Sequence, residues 1–208
     1  MLYELRQYDT TLLTFNVERK ELDNFVFDIV RINDKYKYLL PIGMTEDSDG
    51  LFKWLKSRVI PKNREFVDQI LAKSGLARND VMGIINVCKG LSLNDSYWVV
   101  EQGFEGEFEK YNLYQNKFAT TLALIAYTGY GSNGKRGFTS SPEFTTNGAL
   151  KKCWRRRGGG IYLYKGYGIC HYCRGRRPRR PMKNSSNFAI INIIFYRILI
   201  GAALNRPH

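Results

Sequence analysis

Three observations predict an α+β fold, with a β-rich N-terminal subdomain, a run of helices, a terminal hairpin and an irregular basic tail. Apolar residues alternate with polar ones at the start of the chain. Apolar stripes at helical spacing, each closed by a glycine, fill the middle. The acids stop at Glu143, while the chain runs on to His208.

The elements follow in order. Leu13, Phe15 and Val17 alternate with Thr14, Asn16 and Glu18, the period of a half-buried strand, and Phe25, Phe27 and Ile29 repeat it. Asn33-Asp34-Lys35 reads as a turn, and the segment from Tyr36 to Gly43 as a returning strand. Ser48-Asp49-Gly50 precedes a short amphipathic helix. Pro61 suits a first helical position, where its missing N–H has no partner to lose. Phe66, Val67, Ile70 and Leu71 make one apolar stripe, with Gly75 as a left-handed cap. Asn79 is placed to cap a helix that buries Met82, Ile85 and Cys88 and ends at Gly90. Ser96–Val100 reads as a strand, and Phe118–Tyr127 as a buried helix stopped at Gly129. Gly129–Gly137 reads as a flexible loop. The segments from Phe138 to Arg156 and from Gly160 to Gly166 read as strands around the glycine turn Gly158-Gly159-Gly160.

Charge divides the chain. Residues 1–150 carry 18 Lys+Arg and all 19 acids, whereas residues 151–208 carry 14 Lys+Arg and no acid. The overall net charge of +13 therefore belongs to the C-terminal part, and any suggestion of a polyanionic partner attaches there. The boundary is drawn at residue 166, with 167–208 as a tail rather than a folded domain. Within it Arg174, Arg176, Arg177, Arg179 and Arg180 cluster around a proline, a pattern able to bind nucleic-acid phosphates without sequence preference. Phe188–Leu204 is apolar but interrupted by Asn192 and Arg197, which makes a membrane span unfavourable. The N-terminus shows no apolar signal stretch, so a cytoplasmic location is expected and the four cysteines are not read as a disulfide framework.

The chemistry-bearing motifs are few. The only histidines, His171 and His208, lie in the tail, so no Ser/His/Asp triad is credible. Cys170-His171-Tyr172-Cys173 is a lone CxxC without the second ligand pair that structural zinc wants, and no metal site is assigned. Asp95 and Ser96 are explained by a turn before a strand. Thr145-Thr146-Asn147-Gly148 leads into an apolar strand, and a second strand carries the isolated Lys165. A loop glycine lets backbone N–H groups approach a phosphate, and a strand lysine adds a point charge.

These blocks, with LLPIGM, WLKSRVIPKNRE, LSLNDSYWV, LALIAYTGYGS and IYLYKG in the same order, resemble the HipA-like bacterial serine/threonine kinase group. The similarity covers roughly residues 1–166. It implies a kinase-like small-lobe hairpin, a phosphate loop over Thr145–Lys152, and Asn147, Gly148, Lys152 and Lys165 as nucleotide contacts. It implies ATP and Mg²⁺ as cofactors, a protein hydroxyl as substrate, an antitoxin-like partner and an association with mobile elements, where relatives are sometimes labelled excisionase. The group continues into a large lobe that carries its catalytic and metal-binding acids, for which the acid-free segment after Glu143 offers no counterpart. A frameshift near residues 157–167, or a truncated protein with its own basic tail, accounts for that departure. On either account no catalytic residue is assigned. The alternative function is a non-enzymatic binding factor that contacts nucleic acid or protein through the arginine cluster.

Overall fold

A computed structural model describes residues 1–21, 24–78, 80–131, 141–157, 159–166 and, for the backbone, 168–172. It contains both helices and antiparallel sheets. Strands β1 (Leu2–Gln7), β2 (Thr10–Glu21), β3 (Asn24–Ile32) and β4 (Tyr97–Glu101) form a four-stranded sheet in the order β3-β2-β1-β4. The alternation works as expected. Leu13 and Phe15 are buried, Val17 packs against them, and Phe15 pairs with Tyr3 across the sheet. The rings of Tyr3 and Phe27 lie 5.7 and 6.5 Å from that of Phe15.

The segment after β3 corrects the sequence reading. Asp34–Leu39 is a 3₁₀ helix with no buried residue, not a returning strand. Its apolar residues find no sheet face to cover, and Pro41 could not donate to a ladder. Helix α1 (Ser48–Ser57) begins one residue after Asp47, whose carboxylate accepts the Gly50 N–H. Pro61 does not open a helix. It starts a turn closed by the Arg64 N–H on the Pro61 carbonyl, and α2 (Val67–Ala72) begins only after Phe66, which is left-handed. Asn79 lies outside the described residues, and Asp80 caps α3 (Val81–Cys88) through the Gly83 N–H. Met82, Ile85 and Cys88 are buried there. Burial pushes the Cys88 thiol up to about 12 and raises that of Cys153, so neither is a thiolate near neutrality.

A short α4 (Phe108–Tyr111) precedes α5 (Thr120–Thr128), which ends on the left-handed Gly129. Most of the glycine-rich loop that follows lies outside the described residues. Residues 142–144 then form one 3₁₀ turn rather than a strand, and the strand itself is confined to β5 (Lys152–Arg157). Strand β5 pairs with β6 (Gly160–Lys165) about the expected glycine turn, where Gly159 has φ +76°. A third strand, β7 (Gly168–Tyr172), pairs with β6 and was not expected from sequence. This second sheet seats Cys153 and Tyr164 in the main core, and Trp154 and Leu163 in a second apolar cluster around Trp98.

Among the described residues no helix is long and apolar enough to cross a membrane. The apolar stretch Phe188–Leu204 and the arginines at 174, 176, 177, 179 and 180 lie outside them.

Candidate functional site

The four expected contacts come together at the start of β5. Residues 145–151 loop out from the 3₁₀ turn and enter the strand at Lys152, which stands opposite Lys165 in the register. Asn147 and Gly148 are exposed, as is Lys165. Lys152 is not free to reach outward. It is buried, and its Nζ donates to the carbonyls of Asn147 and Gly148 at 2.7 and 3.0 Å. The lysine thus fixes the loop's shape. Gly148 has φ +99°, and a Cβ there would stand 2.6 Å from the Lys152 Nζ, so a side chain would strain the backbone and displace the lysine head.

The loop is held from below by residues that sequence reading did not single out. Glu65 grips its C-terminal end at two points: its N–H donates to the Ala149 carbonyl and its Oε2 accepts the Lys151 N–H. Arg64 is buried, and its Nη1 donates to the carbonyls of Glu143 and Thr146. Its Nη2 donates to Glu143 Oε2 at 2.9 Å and to the Lys152 carbonyl at 2.8 Å. Glu143 Oε1 accepts the Trp154 N–H at 2.8 Å. Strand β5 is an edge strand, and this ion pair supplies for its outer edge the donor and acceptor that a neighbouring strand would have given. The one sequence signal was Glu143 itself, the last acid of the chain and set between Pro142 and Phe144.

The electrostatics follow from this crowding. Burial, then the charges of Arg64 and Lys165, push the Lys152 ammonium down to about 8. Burial also pushes the Glu143 carboxyl up, against the pull of Arg64. Arg64, Lys152 and Lys165 outnumber the two carboxylates beside them, Glu143 and Glu65, so the loop sits in a field that favours an anion.

Other candidates resolve as structural. Asp95 takes a bidentate ion pair from Arg58, at 2.7 and 2.5 Å, and accepts the Tyr97 N–H, which fixes the turn before β4. Cys153 is buried, and it pairs in register with Tyr164, whereas Cys170 pairs with Leu163. Among the described residues no three of His, Cys, Asp and Glu converge in a way that could hold a metal.

No protein-family model, curated protein or solved structure matches this chain.

Proposed function

We propose that this protein is the N-terminal region and partial small lobe of a HipA-like serine/threonine kinase. In this reading the chain binds nucleotide phosphates at the Asn147–Gly148 loop without transferring a phosphoryl group. The observation that carries it is the pair of lysines facing each other across β5 and β6 beside a glycine loop, with Lys152 shaping the loop and Lys165 left exposed. Phosphoryl transfer works largely by positioning and charge, and a rigid loop with a lysine beside it answers the binding half of that requirement.

The carboxylates beside the loop do not fit a magnesium ion. Both oxygens of Glu143 are engaged, by Arg64 and by the Trp154 N–H, and Glu65 holds the Lys151 N–H. The reading therefore assigns ATP to the loop and no catalytic step to this chain.

Thermal-shift titration of the full chain with ATP tests it. ATP should raise the melting temperature, and Lys165→Ala should abolish most of that rise. No ATP-dependent shift in the wild type would end the binding claim. Label transfer from γ-labelled ATP to a protein, lost in Lys165→Ala, would end the claim that the chain is inert.

A further inference from the structure

A second basic feature lies further along β5, away from the lysine pair. Between the start of α5 and the outer edge of β5 is a cavity of about 300 Å³, lined by Lys117, Phe118, Thr120, Trp154, Arg155 and Arg156. Its lining has three cations and no carboxylate. That volume is at the small end of ligand pockets. We propose that this cavity is a binding site for a phosphate group, separate from the loop at Asn147–Gly148.

Three features of the site carry the inference. The first is a guanidinium locked in place. Arg156 Nη2 donates to the carbonyls of Leu113, Tyr114 and Asn116 at 3.1, 2.5 and 3.4 Å, and its head lies 5.2 Å from the centre of the Phe118 ring. Its Nε is nevertheless buried without a hydrogen-bond partner among the described residues. A buried donor left unanswered costs free energy, and the side chain that carries it lines the cavity.

The second feature is the start of α5. Its cap position holds Ala119, and no side chain caps the helix. Thr120, the first helical residue, lines the cavity. The first-turn N–H groups have no partners within the helix, and they favour an oxyanion.

The third feature is a change along the strand edge. At Lys152 and Trp154 the edge of β5 is answered by Arg64 and Glu143. The cavity lies beyond these bonds and is lined by the next two residues of the strand, Arg155 and Arg156. One fixed guanidinium with two further cations, helix N–H donors and a small, half-open volume suit a tetrahedral, multiply accepting phosphate better than an extended polyanion, which needs a surface track.

The phosphate can be free or carried on a nucleotide, and the test separates the two. The full chain, in a phosphate-free buffer, is titrated calorimetrically with inorganic phosphate and with ATP. The same titrations use Lys117→Gln/Arg155→Gln, Lys117→Glu alone and Lys165→Ala. Urea midpoints check that each variant folds, and Lys117→Glu, at an exposed position, serves if the double variant does not. The expected result is phosphate binding that weakens about tenfold or more in the Lys117/Arg155 variants and is unchanged in Lys165→Ala, about 1.4 kcal/mol per tenfold. If only ATP binds, with the same dependence on Lys117 and Arg155, the site takes the phosphate of a nucleotide. ATP affinity that follows Lys165 alone, or phosphate binding indifferent to Lys117 and Arg155, overturns the proposal. The former result would leave the loop reading standing, so the two claims fail separately.

Discussion

The two sheets are stabilised in different ways. The N-terminal sheet is held by apolar alternation: Tyr3, Leu5, Leu13 and Phe15 cover one face, and its Arg6–Glu4 pair is part-buried rather than sealed in the core. The C-terminal sheet also buries apolar side chains, but its edge depends on a buried polar device, the Arg64–Glu143 pair, assembled from residues 79 apart in sequence. The first arrangement is redundant, because many contacts share the load and volume-conserving changes are tolerated. The second is not, because its buried polar groups answer one another and removing one leaves its partners unanswered.

The largest expected effect breaks that device. Glu143→Ala should destabilise the chain by about 3–5 kcal/mol, since it leaves the Arg64 charge buried and alone and orphans the Trp154 N–H. Urea denaturation reads this as a lower midpoint. Arg64→Met/Glu143→Leu should recover part of the loss, because no charge then remains buried. A double variant no better than Glu143→Ala would show that the pair's value lies in the edge hydrogen bonds rather than in charge balance. The exposed Arg78–Asp68 pair is the control, and Asp68→Ala should leave the midpoint unchanged within error.

A smaller effect is expected at the loop. Gly148→Ala meets both a left-handed backbone and the pinned Lys152 Nζ, and should cost about 1–3 kcal/mol. Gly159→Ala, in the hairpin turn, has a similar positive φ but open space around it. It should cost only the backbone part, about 1 kcal/mol. The difference between the two melting curves isolates the clamp, and equal losses would mean that Lys152 moves aside freely.

This contrast also explains which parts of the molecule were legible in its sequence. Leu13-Phe15-Val17, the Met82-Ile85-Cys88 stripe and the stop at Gly129 are local patterns, and their burial follows from period alone. The glycine loop and its two lysines were legible as residue types, but the inward turn of Lys152 was not, since a buried lysine is spelled like an exposed one. Arg64 and Glu65 were invisible for the same reason, because their partners lie some 80 residues away. Pro61 was misread because the chain needs a turn there, not a helix, to bring Arg64 beneath the loop. Asp34–Leu39 was misread because alternating tyrosines and lysines imitate a strand even where no sheet face is available.

The smallest effect is the most specific. The Lys152 ammonium titrates near 8 in the folded chain, against an ordinary value of 10.5. The folded state therefore binds fewer protons than the unfolded state between those values, and this residue's contribution to stability rises with pH across that window. Below about pH 8 the destabilising contribution is present in full. Neutral Lys152 still has two N–H groups for the Asn147 and Gly148 carbonyls, so the clamp survives while the charge does not. Urea midpoints measured from pH 7 to 10 should rise more in the wild type than in Lys152→Met. Lys165→Ala should flatten the rise only slightly, because its charge is the third cause of the shift after burial and Arg64. Parallel profiles for wild type and Lys152→Met would mean that Lys152 keeps its ordinary proton affinity. The cationic sheet would then carry its charge without the strain that sets it apart from the N-terminal one.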